Sequence, residues 1–155
     1  SQRGQSLLDG PHWSRTYRTR DGGFMSVQSL EPKFYAIFLD KMGLADDPDF
    51  ANQFDKAAWP DLCARLEHLF ATRDRDDWAA VFAGSDACVA PVLTPEEALE
   101  HPMNAARGAW ARIDGVLQAA PAPRFGEGTD WQPAPIPARG ADTDRILAEL
   151  NGKEA

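Results

Sequence analysis

The chain has 155 residues, which is enough for one compact domain with some additional length as an arm or tail. Its hydrophobic share of 43% and its five tryptophans favour a globular core over a disordered chain. Acidic residues outnumber lysine and arginine by 24 to 16, and the resulting net charge of −8 repels phosphate backbones, which argues against nucleic-acid binding.

A β-hairpin followed by a buried helix is predicted in the first part of the chain. Residues 16–20 and 24–29 alternate as strands do, and Asp21-Gly22-Gly23 between them supplies turn residues. Pro32 is suited to the first position of a helix, because a proline lacks the N–H that would be unpaired there, and Gly43 is placed to end that helix. Apolar side chains on most sides predict that the helix is buried: Phe34, Tyr35, Ile37, Phe38 and Met42.

Two amphipathic helices and a short strand are predicted next, after a polar, turn-rich segment at 46–59. The first helix opens at Pro60 and carries one apolar stripe, formed by Leu62, Leu66, Leu69 and Phe70. The second ends at Gly84, and its apolar stripe consists of Trp78, Val81 and Phe82. The apolar run 87–93 predicts a strand, which Pro91 restricts to a sheet edge or a strand end.

The remaining elements are a short helix, a strand, an extended arm and a final helix. Thr94-Pro95-Glu96-Glu97 has the pattern of a capping box, and His101-Pro102 interrupts the helix that it starts. A strand is predicted at 110–114. Five of the twelve prolines fall within 121–137, which predicts an extended segment, and an amphipathic helix is predicted at 143–150.

Together these elements predict an α+β fold with a short antiparallel sheet packed by helices. We expect a linker at 1–11, a small α+β domain at 12–115, and a proline-rich C-terminal arm with a terminal helix at 116–155. No apolar run reaches the length of a membrane span, and the sequence shows neither a signal peptide nor a peroxisomal address, so we expect a cytoplasmic protein. The opening Ser1-Gln2-Arg3-Gly4 contains no initiator methionine, which favours an excised domain or a proteolytic fragment.

Most of the reactive side chains are better explained by structure than by chemistry. Cys63 in a helix and Cys88 in an apolar strand are expected to be buried structural thiols. The three histidines show no metal-ligand spacing and are expected to be surface or helix residues: His12, His68 and His101. The aspartates at 74–77 favour a helix N-terminus, and no glycine-rich phosphate loop occurs. The residues therefore predict no metal and no cofactor site.

Glu31 is the one candidate for a functional side chain. It lies where a strand gives way to a helix that starts with a proline, close to unpaired N–H groups and the positive end of the helix dipole. These groups favour the ionised carboxylate, which could accept a hydrogen bond or stabilise a cation such as an imidazolium. The alternative is that Glu31 is a plain N-cap.

Several sequence runs resemble those of one enzyme family in the same order along the chain. The runs are RGQSLLDG at 3–10, YRTRDGGFMSV at 17–27, LEPKFY at 30–35, SDACVAPVL at 85–93, APRF at 122–125 and TDRIL at 143–147. They resemble the small domain and C-terminal segment of the α-methylacyl-CoA racemases, within the family III CoA-transferase (CaiB/BaiF) superfamily. Ala90 stands where the family usually has a threonine. The similarity covers essentially the whole chain.

The resemblance implies inversion at the carbon α to the thioester carbonyl of a 2-methylacyl-CoA, without a metal or organic cofactor. A histidine and an aspartate exchange the proton in this family, and both belong to the large domain that precedes the matched region. The basic residues that bind CoA also belong to that domain. Glu31 matches the glutamate that orients and charge-balances the catalytic histidine. The resemblance further implies a homodimer, and it implies that this piece alone is inactive.

Two alternatives stay open. A family III CoA-transferase would move CoA between carboxylic acids through an aspartyl anhydride, with its nucleophilic aspartate also upstream. The run Ser29-Leu30-Glu31-Pro32 favours the racemase, because transferases tend to carry a glycine- or asparagine-containing loop there. A non-catalytic domain for assembly or partner binding is the other alternative.

Overall fold

The computed structural model describes residues 4, 6–123 and 134–152, which form two compact units, Ser1–Val92 and Leu93–Ala155. The predicted boundaries after residues 11 and 115 remain predictions. Several positions of the recognised runs lie outside the described residues: Arg3, Gln5, Arg124 and Phe125. Residues 124–133 of the predicted arm also lie outside them.

The first unit contains a three-stranded antiparallel sheet. Its strands are β1 (Ser14–Arg18), β2 (Phe24–Gln28) and β3 (Val89–Pro91), in the order β1-β2-β3. The turn between β1 and β2 places Gly22 at φ +87°, a left-handed conformation that a residue with a Cβ rarely adopts. The predicted hairpin is confirmed, and β3 lies at the sheet edge and ends at Pro91 as expected.

Three helices of the first unit pack against this sheet. They are α1 (Pro32–Met42), α2 (Trp59–Phe70) and α3 (Arg75–Phe82), with a short 3₁₀ turn at Pro48–Phe50. Gly43 ends α1 in the left-handed conformation at φ +70°, and its amide donates to the carbonyl of Asp40. The predicted helices are confirmed, and α2 begins one residue before Pro60.

Aromatic residues dominate the core of the first unit. Tyr17 stacks on Phe70 at a centroid distance of 5.0 Å, and the indole N–H of Trp78 donates to the Phe70 carbonyl at 2.9 Å. The largest side chains that are fully enclosed include Trp13, Tyr17, Met25, Phe38, Phe50, Leu66 and Phe70. Because one face of the hairpin and one stripe of each helix contribute to this cluster, burial of apolar surface holds the sheet and helices together.

The two cysteines differ in a way that the sequence did not predict. Cys63 is buried in α2, as expected. The expectation of a buried Cys88 inside a strand is wrong: the residue is exposed and precedes β3 at φ +54°. Its carbonyl accepts a hydrogen bond from the Gln28 amide at 3.0 Å, and the left-handed backbone interrupts the extended run, so only residues 89–91 pair as a strand.

The second unit contains short helices and a second hairpin. Its elements are α4 (Pro95–Glu100), α5 (Pro102–Ala106), β4 (Trp110–Ile113), β5 (Val116–Ala119) and α6 (Thr143–Leu150). Thr94 and Glu97 form the predicted capping box, and α6 has the predicted bounds. In the described part of the chain, no helix has the length and apolar character needed to cross a membrane.

Strand β5 is an element that sequence reasoning missed. It pairs antiparallel with β4, whereas the segment after residue 115 was expected to belong to the extended arm. Asp114 and Gly115 form the turn, at φ +51° and +80°. Asp-Gly is the preferred pair for a two-residue hairpin loop, so this dipeptide was the signal that could have revealed the second strand.

Candidate functional site

The predicted catalytic residue Glu31 lies at the junction between β2 and α1, exposed to solvent. It is the N-cap of α1, with extended backbone at φ −75° and ψ 139°, and its carbonyl accepts the Phe34 and Tyr35 amides, both at 3.0 Å. Its side chain makes no capping hydrogen bond. The carboxylate therefore lies at the positive end of the helix dipole but makes no hydrogen bond to the N–H groups of the first helical turn. It is open to a partner from outside the unit.

The backbone that leads into Glu31 is anchored from three sides. The Ser29 amide donates to the Trp13 carbonyl at 3.0 Å, and the Ser29 hydroxyl donates to the Ala87 carbonyl at 2.6 Å. The side-chain amide of Gln53 donates to the carbonyls of Ser29 and Leu30, both at 2.9 Å. These bonds join the residue before β1, the residues before β3 and the loop before α2 to one short stretch of chain, so the position of Glu31 is fixed by tertiary contacts.

A small cluster of ionisable groups surrounds the junction. Although Cys88 is exposed, partial desolvation raises the pKa of its thiol, the nearby carboxylates of Glu31 and Asp86 raise it further, and Lys33 lowers it. A thiol held in this way stays protonated at neutral pH and is a poor nucleophile. The ammonium of Lys33 lies 4.5 Å from the centroid of the Phe34 ring. The cluster can therefore present a carboxylate to a cationic or hydrogen-bond-donating partner, but it has no activated nucleophile.

His12 is a core residue, so its predicted place at the surface or in a helix is wrong. It is fully buried, with Nε2 2.7 Å from the Tyr35 hydroxyl, which in turn donates to the Phe50 carbonyl at 3.1 Å. Because the hydroxyl gives its one hydrogen to Phe50, Nε2 of His12 must carry the hydrogen of the shared bond. Burial lowers the pKa of His12 to about 4, so the ring is neutral and enclosed. It cannot exchange protons with a substrate at this site.

The other two histidines also lack a catalytic setting. His68 is an exposed residue of α2, as predicted, and its Nδ1 lies 2.7 Å from the Ala64 carbonyl. His101 caps the C-terminus of α4. Among the residues that the structure describes, no group of three or more His, Cys, Asp or Glu side chains could hold a metal ion.

A cleft of about 770 Å³ opens beside the hairpin of the first unit. Its lining includes Ser14, Arg15, Gln28, Lys56 and Cys63. The Ser14 hydroxyl donates to the Gln28 side chain at 2.9 Å, and Arg15 lies 3.7 Å from Glu67. Gln28 is three residues before Glu31, so this polar cleft borders the strand that leads to the candidate site.

Sequence reasoning missed the groups that hold Glu31 in place. Gln53 belongs to the turn-rich segment at 46–59, where no periodic pattern distinguishes a buried amide from a solvated one. Ser29 ends the predicted strand and carries no motif of its own. Their roles depend on partners 24 and 58 residues away in sequence, and a single sequence gives no signal for such pairings.

Comparisons with known proteins agree on one family. The sequence model of CoA-transferase family III matches residues 2–143. The chain is 42% identical over 123 residues to the alpha-methylacyl-CoA racemase of Mus musculus, covering 78% of this chain and 32% of that protein. It is also 42% identical over 110 residues to the Homo sapiens protein of the same name, covering 70% of this chain and 28% of that protein. The chain thus spans about a third of the length of these curated relatives.

A likeness to solved structures supports the fold independently. The crystal structure of Rv3272 from M. tuberculosis aligns with a TM-score of 0.62 at 18% sequence identity. The alignment covers 83% of this chain and 37% of that chain. The mixed helix-and-sheet architecture, with a small antiparallel sheet packed by helices, is therefore a known arrangement.

Proposed function

The chain belongs to CoA-transferase family III, and on that premise we propose that it is the C-terminal part of a 2-methylacyl-CoA racemase. The observation that carries the proposal is the run Leu30-Glu31-Pro32, which places an exposed carboxylate at the start of α1 that makes no capping hydrogen bond. The similarity to two proteins named as racemases covers most of the chain and supports the same reaction. The rest of the active site belongs to polypeptide beyond this chain.

The proposed reaction moves one proton at the carbon next to a thioester. A base removes the α-proton from one face, the C–H electron pair passes into an enolate, and an acid returns a proton to the opposite face. The thioester carbonyl acidifies the proton, and the enolate oxygen requires electrostatic stabilisation. Atoms and charge balance without an oxidant or a metal. Acyl-CoA is the substrate, and no additional cofactor is required.

In this mechanism Glu31 acts through another group. A histidine outside this chain exchanges the proton, and the carboxylate orients its imidazole and balances the positive charge of the imidazolium. The geometry supports this role in two ways. The Glu31 side chain makes no capping hydrogen bond to α1, and the backbone that precedes Glu31 is anchored through Ser29 and Gln53. A carboxylate partner stabilises the charged form of an imidazole.

The other parts of the proposal concern the longer protein. With a net charge of −8, this chain is poorly suited to hold the phosphates of CoA, so we assign the basic residues for CoA to the region outside it. We further propose that the longer enzyme is a cytoplasmic homodimer, and that the 155-residue chain alone has no racemase activity. Measurable turnover by the purified chain would overturn that last point.

Replacing the carboxylate tests the proposed role. In the full-length enzyme, Glu31→Gln keeps the size of the side chain and removes its charge, and we expect kcat to fall on the order of a hundredfold while the fold is retained. Glu96→Gln is the matched control, because Glu96 is an exposed carboxylate in the first turn of α4. An unchanged rate for Glu31→Gln would mean that Glu31 occupies the N-cap position of α1 without a role in the reaction.

The family also allows a second reaction, transfer of CoA between carboxylic acids. Its nucleophilic aspartate would lie outside this chain too. The two activities are separated by assaying the full-length protein with one acyl-CoA. Exchange of the α-proton in deuterated water identifies the racemase, whereas CoA exchange that depends on an added carboxylic acid identifies the transferase.

A further inference from the structure

Gln53 is a buried polar residue whose side chain contacts the backbone just before Glu31. It lies in the loop between the 3₁₀ turn and α2, and only 6% of its surface is exposed. Its side-chain nitrogen donates to the carbonyls of Ser29 and Leu30, each at 2.9 Å. Both hydrogens of the amide are thereby directed at the two peptide groups that immediately precede Glu31.

The glutamine is itself held rigidly. Its backbone carbonyl accepts the indole N–H of Trp13 at 3.0 Å and that of Trp59 at 3.1 Å. The two indoles are buried and pack edge to face, with centroids 6.4 Å apart. A buried group with all of these bonds made cannot rotate without leaving polar atoms unpaired, so Gln53 serves as a fixed point.

The residues that Gln53 binds lie between two regular elements. Ser29 and Leu30 follow the end of β2 at Gln28 and precede α1, which starts at Pro32. The proline restricts the residue before it to extended backbone, which is what Glu31 adopts. Gln53 on one side and Pro32 on the other therefore determine the direction in which the Glu31 side chain leaves the unit.

We propose that Gln53 is the positioning residue for Glu31, an inference that rests on the proposed function. By holding the two preceding peptide groups, it sets the distance between the carboxylate and the imidazole that the carboxylate partners. Misplacement by about 1 Å can cost on the order of a hundredfold in rate. Substrate contacts are not involved, so the loss belongs in kcat and leaves KM unchanged.

The test uses the full-length enzyme and five variants. Gln53→Met keeps the length of the side chain and removes both donors, and we expect kcat to fall roughly ten- to a hundredfold with KM unchanged. Gln53→Glu supplies one donor only when it is protonated, so its kcat should recover as the pH is lowered, relative to the unmodified enzyme. Tyr35→Phe is the control, because it removes two buried side-chain hydrogen bonds, with His12 and with Phe50, neither of which involves the Glu31 backbone, and its kcat should not change.

The double variant Glu31→Gln/Gln53→Met separates positioning from general damage. If Gln53 acts through Glu31, the second substitution should lower kcat by less than about twofold in the Glu31→Gln background. An equal loss in both backgrounds would overturn the inference and leave the proposed function intact, as would an unchanged rate for Gln53→Met. An unchanged rate for Glu31→Gln would overturn both. If Gln53→Met does not fold, the recovery of Gln53→Glu at low pH decides, and its absence refutes the role.

Discussion

The buried histidine makes the stability of this chain depend on pH in a range where carboxylates titrate little. His12 is fully enclosed, its Nδ1 has no hydrogen-bond partner in the described structure, and burial lowers its pKa from 6.5 to about 4. Below pH 6.5 His12 is protonated in the unfolded chain, whereas in the folded chain it stays neutral until the pH approaches 4. The folded state is therefore fully favoured above pH 6.5, and it loses stability as the pH falls towards 4, where the effect levels off.

The size of the effect follows from the two pKa values. The full difference between the two pKa values corresponds to roughly 3 kcal/mol in the free energy of unfolding, and lowering the pH from 7 to 5 should cost about 2 kcal/mol. The pKa values of Asp21 and Asp47 are lowered in the fold, so these carboxylates stabilise the folded state. That stabilisation is lost only at lower pH, below their ordinary pKa of 3.8. The interval from pH 7 to pH 5 therefore isolates the histidine.

Urea denaturation of the 155-residue chain at pH 7, 6 and 5 measures this loss directly. His12→Gln should be less stable at pH 7, because it disturbs a packed site, yet its stability should vary much less over this interval. His68→Gln is the control, because His68 is exposed on α2, and it should retain the full dependence of the unmodified chain. If His12→Gln and the unmodified chain show the same change in stability between pH 7 and pH 5, the reasoning about the buried ring is refuted.

Two further predictions concern the core and the terminal helix. Phe70 is fully buried and stacks on Tyr17, so Phe70→Ala should lower the free energy of unfolding by about 3–5 kcal/mol in urea denaturation. A loss below about 1 kcal/mol would mean that the aromatic cluster closes over the cavity. The apolar residues of α6 are exposed, namely Ile146, Leu147 and Leu150, so its amides should exchange hydrogen much faster than those of α2 in monomeric protein. Equal protection of the two helices would contradict the inference that the exposed apolar residues leave α6 only weakly stabilised within this chain.

The starts and stops of the helices were predictable because their causes are local. Pro32 at the first turn of α1, Gly43 just beyond its end and the Thr94–Glu97 capping box all act within four residues of the feature that they create. The hairpin of β1 and β2 was predictable for the same reason, since its turn residues separate two alternating runs. The position of Glu31 at a strand-to-helix junction followed from these boundaries.

The surroundings of the candidate site were not predictable in this way. Nothing in the sequence distinguished Gln53 from its polar neighbours, or His12 from a surface histidine. Their partners, Ser29 and Tyr35, lie 24 and 23 residues away along the chain. The prediction for Cys88 is wrong because the apolar run 87–93 predicts one continuous strand, whereas the backbone at that residue is left-handed and the thiol is exposed.

The sequence by itself thus determined the order of the elements, their ends and the residue that stands at the head of α1, because propensity, turn chemistry and capping operate over a few neighbouring residues. Only the tertiary structure decided which polar groups are buried and what they hold. Burial and hydrogen bonding of a side chain depend on which distant segments meet in the fold. The Gln53 contacts to the backbone before Glu31 exist only once the loop, the hairpin and the two indoles have come together.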